Sequence, residues 1–170
     1  MIASHRGRVR RLGDDVNTDY IISSARKKDT LDEHVLKRFL LESLDPSFAA
    51  SVREGDVLVA GKNFGCGSAM EVAATVILAA GIPIVIAKSF ARSFYRNAIN
   101  NGLIPLECDT NHFAEGDSVA VSLDASGVAI ANERTAWMQT LPALSGIAGA
   151  ILDAGGLVPY LRREGRFVLP

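Results

Sequence analysis

The chain has 170 residues, of which 48% are hydrophobic in the broad sense and 22% are charged, with a formal net charge of −1. This composition is typical of a globular protein, and the length suits a single domain over residues 1–170. The balanced charge argues against nucleic acid and against a membrane surface as partners. The two cysteines, Cys66 and Cys108, have no CxxC spacing, so we expect neither a disulfide scaffold nor a complete metal or cluster site on this chain. The sequence starts without an apolar leader, and its longest apolar run is too short to span a bilayer, so we expect a cytoplasmic protein.

The amino-terminal part predicts short elements around a polar loop. Arg8–Leu12 is predicted as a strand and Tyr20–Ile22 as a brief β-type run. The loop Ser23–Asp29 follows, and it carries three adjacent cations. Thr30 with Glu33 has the pattern of a capping box, which predicts a helix reaching about Leu44, with a further helical turn from Asp45.

The middle of the chain has the most regular pattern, in which continuous apolar runs alternate with helical segments. The predicted strands are Val57–Ala60, Ile84–Ala87 and Leu103–Leu106, and the predicted helices are Ala69–Ala80 and Phe90–Asn100. Apolar strands separated by helices are typical of a parallel sheet covered on both faces, with right-handed crossovers.

After Asp109 the pattern changes to short runs separated by turn residues. These runs predict a small antiparallel meander followed by a last helix: Ser118–Leu123, Val128–Ala131 and Thr135–Thr140, then Leu144–Ala154. The predicted fold class is therefore α/β, a mostly parallel sheet with flanking helices plus a small antiparallel meander.

The glycine-rich segment Gly61–Glu71 is the strongest candidate for chemistry. Ser68 followed three residues later by Glu71 matches a capping box, which is a purely structural role. Alternatively, Ser68 is a base, because the free N–H groups and dipole at a helix start favour a negatively charged oxygen. Gly65 and Gly67 favour this second interpretation, since a plain helix start needs no such pair. The segment matches neither a phosphate loop, a dinucleotide fingerprint nor a serine-hydrolase elbow.

Two polar clusters lie near the amino terminus. Asp14 and Asp15 fit turn chemistry, in which the carboxylates bond their own backbone, whereas Asp19 fits either a turn or a functional role. The run Arg26-Lys27-Lys28 fits either a solvated face or a loop that holds substrate carboxylates.

Together these segments resemble the small subunit of the aconitase-like hydro-lyases, the group of 3-isopropylmalate dehydratase and homoaconitase. The resemblance extends in order along nearly the whole chain. It is carried by Gly13–Asp19, Gly55–Val57, Gly61–Ser68, Val85–Arg92, Phe94–Pro105 and Ala154–Leu157.

The resemblance implies a swivelling β/β/α domain that closes over a [4Fe–4S] cluster held by three cysteines of a separate large subunit. No cofactor is then expected on this chain, and the assembly is a heterodimer or heterotetramer. The serine matching Ser68 removes a proton from the substrate carbon next to a carboxylate, while the cluster iron acts as Lewis acid on the departing hydroxyl. The aspartate matching Asp19 supports the acid/base network, and the loop matching Ser23–Thr30 selects among small hydroxy acids of the malate type.

One departure from the family concerns the substrate. The family usually has Gly-Ser-Ser-Arg-Glu where this chain has Gly67-Ser68-Ala69-Met70-Glu71, so a guanidinium is missing at position 70. The resemblance then suggests Arg26, Lys27 or Lys28 as the replacement cation, beside Gly67, Ala69 and Met70 in the substrate site. It leaves open 3-isopropylmalate, a homocitrate-like acid or a methylmalate-type acid as substrate, and also a non-catalytic binding module that kept the fold.

Overall fold

A computed structural model describes residues 4–28 and 30–168 and builds them around one sheet. Its seven described strands are β1 (Ser4–Arg11), β2 (Val57–Ala60), β3 (Ile84–Ala87), β4 (Ile104–Glu107), β5 (Ser118–Asp124), β6 (Gly127–Asn132) and β7 (Trp137–Leu141). Their order across the sheet is β4-β3-β2-β1-β5-β6-β7. The assignment of residues 1–170 to one domain stays a prediction.

Strand β1 joins a parallel half of the sheet to an antiparallel half. On one side it runs parallel to β2, with Val9 opposite Val57, and the parallel pairing continues through β3 to β4. On its other side β1 pairs antiparallel with β5, and a meander follows through β6 to β7. The predicted α/β class, with a parallel sheet and an antiparallel meander, is confirmed, and the meander extends the same sheet.

Short helices cover both faces of the sheet. They are α1 (Thr18–Ile21), α2 (Glu33–Leu36), α3 (Phe48–Ser51), α4 (Glu71–Ala79), α5 (Arg92–Asn101), α6 (Gly146–Asp153) and α7 (Leu157–Glu164). In the part of the chain that the structure describes, none of them is long and apolar enough to cross a membrane.

The core lies in two layers, one on each face of the parallel strands. Because successive strand residues point to opposite faces, Leu58 and Val85 pack with α4, whereas Val59 and Ile86 pack on the side of α6 and α7. Both faces are therefore buried, which explains the continuous apolar runs in β2 and β3.

Two predictions for the amino-terminal part were wrong. The β-type run at Tyr20–Ile22 is replaced by α1, because the Asn17 side chain accepts a hydrogen bond from the Asp19 amide at 2.8 Å and caps a helical turn. The long helix from Thr30 to Leu44 is reduced to α2 and a 3-10 turn, and Asp32 rather than Thr30 caps α2.

Candidate functional site at the carboxyl edge of the parallel strands

Loops from the parallel strands meet at the edge where those strands end. Backbone hydrogen bonds tie the loop after β1 to the loop after β2, with Gly61 N donating to Gly13 O at 2.9 Å and Asp15 N donating to Lys62 O at 2.8 Å. The loop after β3 joins them, since Phe64 N donates to Ser89 O at 3.0 Å. Ligands of open α/β sheets bind at this edge, so it is the expected place for a site.

The glycine pair allows the turn after β2 to pack against its neighbours. At Gly65, where φ is +77°, an added Cβ would lie 2.2 Å from Cγ of Phe94. At Gly67, where φ is +91°, it would lie 2.6 Å from the side-chain amide of Asn17. Both positions therefore require glycine, because glycine adopts a positive φ without strain and because a Cβ there would overlap the neighbouring side chain.

Ser68 lies exposed on this turn, ahead of α4. The capping-box interpretation was wrong: the N-cap of α4 is Met70, and it makes no side-chain capping bond. The prediction that Ser68 stands at the helix start was also wrong by two residues. Within the described ranges the Ser68 hydroxyl makes no hydrogen bond, while its backbone carbonyl accepts one from Thr18 Oγ1 at 2.9 Å. The hydroxyl is thus open to a ligand while the backbone is held.

Asp19 lies on the segment that supports the Ser68 turn. Its half-buried carboxylate accepts a hydrogen bond from Ser24 Oγ at 2.5 Å. The preceding residue, Thr18, is buried and bonds the turn through Ser68, an anchoring role that sequence reasoning missed. The sequence signal that could have indicated this role is the position of a threonine directly before Asp19, which was itself predicted to be functional.

Asp14 and Asp15 join two loops rather than closing their own turn. Asp14 Oδ1 accepts from the Lys62 amide at 2.7 Å, and Asp15 Oδ1 accepts from Asn63 Nδ2 at 2.8 Å. The expectation that these carboxylates bond their own backbone was therefore wrong, although their role is still structural.

The three adjacent cations form a 3-10 turn, Arg26–Lys28, and their side chains differ in surroundings. The Arg26 guanidinium donates to both carboxylate oxygens of Glu42, at 2.8 and 3.0 Å, and lies 3.9 Å from the ring centroid of Phe39. Lys27 is half-buried and its Nζ contacts Sδ of Met70, whereas Lys28 is exposed. Asp29, at the end of the predicted loop, lies outside the described residues.

The structure thus brings together Lys27 and Met70 of the predicted substrate-binding residues. Gly67 and Ala69 are exposed on the same turn, and Arg26 is directed toward Glu42. A role for any of these residues in binding substrate stays a prediction.

The thiols of the chain differ in their surroundings. Cys66 is half-buried on the glycine turn, whereas Cys108 is buried, and this burial, together with the charge of Asp109, raises the pKa of the Cys108 thiol to about 12. Cys108 therefore stays protonated at neutral pH. Among the described residues, no group of three or more His, Cys, Asp or Glu side chains is placed to hold a metal ion, so these residues do not fit an iron–sulfur cluster.

The fold and the site together define the class of protein: an α/β domain whose glycine-rich turn lies at the carboxyl edge of a parallel sheet. Comparison with known proteins narrows this class. The family model of the aconitase C-terminal domain matches residues 22–111.

Relatives match over nearly the full length. The methanogen homoaconitase small subunit of Methanocaldococcus jannaschii is 46% identical, over 94% of this chain and 92% of that protein. The 3-isopropylmalate dehydratase small subunit of Heliobacterium modesticaldum is 48% identical, over 92% of this chain and 93% of that protein. A crystal structure titled 3-isopropylmalate dehydratase (leuD), also from M. jannaschii, superposes with a TM-score of 0.87 at 43% identity and covers 95% of each chain.

The chain belongs to the aconitase C-terminal domain family, within the group of 3-isopropylmalate dehydratase and homoaconitase small subunits. The resemblance stated from the sequence is thereby confirmed.

Proposed function

We propose that this chain is the small subunit of an aconitase-type hydro-lyase that dehydrates and rehydrates a malate derivative together with a large subunit. The observation that carries the proposal is the exposed Ser68 hydroxyl, without a protein partner in the described part of the chain, on a turn held by Thr18. Ligands of open α/β sheets bind at this carboxyl edge, and in this proposal the large subunit completes a cleft there around the Ser68 oxygen.

In this proposal Ser68 is the general base. It takes the proton from the substrate carbon next to a carboxylate, and the positive end of the dipole of α4, which begins three residues later at Glu71, favours the deprotonated oxygen. Asp19, bonded to Ser24, supports the acid/base network from the neighbouring segment. The loop 23–28 is the substrate-selecting loop in this proposal, and it reaches the Ser68 turn where Lys27 contacts Met70.

The [4Fe–4S] cluster implied by the family belongs, in this proposal, to the large subunit. The described residues of this chain offer no group of ligands for it. We propose a heterodimer or heterotetramer with that subunit, located in the cytoplasm.

The substrate is a small hydroxy acid. The names of the relatives suggest 3-isopropylmalate or homocitrate as first candidates, and a methylmalate-type acid is the third, because Met70 offers an apolar side chain at this turn. A second candidate function is a non-catalytic binding module, which the replacement of Ser-Arg by Ala69-Met70 favours.

The test is reconstitution of the chain with its large subunit and a screen of these three acids, with the absorbance of the unsaturated product as readout. We expect Ser68→Ala to lower kcat by about 10²–10⁴-fold, the usual contribution of a general base. Ser145→Ala is the matched control, because Ser145 is also exposed ahead of a helix and makes no side-chain capping bond. Ser68→Ala activity within tenfold of wild type would refute the base assignment. If the wild-type complex, with the cluster present on the large subunit, turns over none of the three acids, the result would favour the non-catalytic binding module.

A further inference from the structure

We propose that Lys27 supplies the cation that binds the substrate carboxylate at the Ser68 turn. The inference rests on the proposed function and adds to it a specific carboxylate-binding residue. It starts from one contact, that of Lys27 Nζ with Met70 Sδ, which joins side chains 43 positions apart in the chain.

The position of this ammonium is fixed from both sides. Lys27 projects from the 3-10 turn Arg26–Lys28, and Arg26 holds that turn through its two hydrogen bonds to Glu42. Met70 is half-buried and packs against the core cluster beneath α4. The Lys27 side chain therefore lies along the turn that carries Ser68, two residues away from the hydroxyl.

The ammonium has no anionic partner in the described ranges. Of the described carboxylates, Asp19 is bonded to Ser24 and Glu42 to Arg26, while Asp29, two positions along the chain, lies outside the described residues. A thioether sulfur is only a weak acceptor and carries no charge, so Met70 cannot balance the ammonium. Neighbouring Lys28 differs, because it is exposed to solvent. A half-buried cation without a described anionic partner, in contact with the turn that carries an unpartnered hydroxyl, is the arrangement that a carboxylate ligand would complete.

The carboxylate concerned is the one next to the carbon that Ser68 deprotonates, because Met70 and Ser68 belong to the same short turn. All three candidate acids carry that group. Lys27 therefore favours hydroxy acids as a class and does not require a third carboxylate on the substrate. A lysine gives a compact point charge where an arginine gives a planar fork, so the geometry of binding differs from a guanidinium site.

The test uses the complex reconstituted with the large subunit and 3-isopropylmalate, homocitrate and 2,3-dimethylmalate as probes. We expect Lys27→Met to lower kcat/KM about thirtyfold or more for every acid turned over, since truncating one partner of a desolvated charge pair has a cost of this order. Lys37→Met is the matched control, because it removes the same charge from the neighbouring 3-10 turn, and it should stay within twofold of wild type.

A charge-relocation variant makes the test specific. Adding Met70→Arg to Lys27→Met puts a cation back at the same contact, and we expect it to recover tenfold or more of the lost kcat/KM. Lys27→Gln serves as a second neutral variant should Lys27→Met fail to assemble, with assembly checked by size-exclusion chromatography.

Each outcome decides one claim. If Lys27→Met stays within threefold of wild type while Ser68→Ala abolishes turnover, the Lys27 inference fails and the proposed function stands. If Lys27→Met affects only homocitrate, Lys27 binds an additional carboxylate and the inference as stated is overturned. If Ser68→Ala stays active, the base assignment fails, and if the wild-type complex turns over none of the three acids, the proposed function itself fails.

Discussion

Replacing Gly67 by alanine tests whether the Ser68 turn must keep its position. In the present structure the added Cβ would lie 2.6 Å from both Nδ2 and Oδ1 of Asn17. Ordinary van der Waals contact begins at 3.4 Å, so the atoms must separate by about 0.8 Å, the difference of these two distances.

The turn should move rather than Asn17. The Asn17 side chain caps α1 by accepting from the Asp19 amide at 2.8 Å, which holds it in place, whereas Gly67 and Ser68 are exposed to solvent. A displacement of the turn carries Ser68 with it. Since a misplacement of about 1 Å in a catalytic group costs about 10²-fold, we expect kcat to fall by about two orders of magnitude.

Gly116→Ala separates this effect from backbone strain. Gly116 also has a positive φ, of +83°, but an added Cβ there meets nothing within 4 Å. Gly116→Ala should lose about 1–2 kcal/mol of unfolding free energy, the cost of a left-handed conformation, which shifts the Tm by a few degrees in a chain of this length. Gly67→Ala should lose at least as much, because the close contact with Asn17 adds to that strain.

The assay compares kcat of the two variants in the reconstituted complex and their thermal unfolding by circular dichroism. Only Gly67→Ala should lose turnover. If its kcat lies within threefold of that of Gly116→Ala, then either the turn tolerates the displacement or Ser68 is not the base, and the reasoning fails.

Three further predictions concern stability and reactivity. Gly65→Ala should lower the unfolding free energy by about 2–5 kcal/mol, because left-handed strain adds to overpacking against a buried phenyl ring; a loss below about 1 kcal/mol in urea titration would contradict this. Hydrogen bonding by Arg134 lowers the pKa of Asp117 from 3.8 to about 2, so the stabilisation by this carboxylate is present above pH 4 and disappears as the pH falls toward 2. Urea titrations should therefore show that Asp117→Asn is less stable than wild type at neutral pH, and that this difference in unfolding free energy disappears between about pH 4 and pH 2. A difference that does not depend on pH would contradict the prediction. Iodoacetamide at pH 8 should leave buried Cys108 unmodified in the folded protein, since burial raises the pKa of its thiol to about 12, and mass spectrometry that found rapid alkylation there would show the opposite.

The parallel half of the sheet could be predicted from the sequence because its signals are local. The strands β2 and β3 were predicted to the residue, since each is a continuous apolar run next to glycine or proline. The segment around α1 was mispredicted, because Tyr20–Ile22 has strand-forming residues while the Asn17 cap and the contact with the glycine turn impose a helical turn.

The candidate site could be predicted only in part. The glycine pair identified the turn, since positive φ and close approach both require glycine there. The interactions of the cations depend on contacts far apart in sequence: Arg26 reaches Glu42 over 16 positions and Lys27 reaches Met70 over 43. No local pattern distinguishes adjacent lysines and arginines whose side chains diverge in this way.

The antiparallel pairing of β1 with β5 has a practical consequence for experiments on this protein. Ser4 pairs with Ser122 and Arg8 with Ser118, so the hairpin between β5 and β6 turns at the sheet edge opposite Ser68. That hairpin is tight, with Asp124 Oδ1 accepting from the amides of Ser126 and Gly127 at 2.7 and 3.2 Å. Exposed loop tips tolerate inserted residues. An affinity tag placed there would tether the molecule to a sensor surface with the glycine turn facing solution.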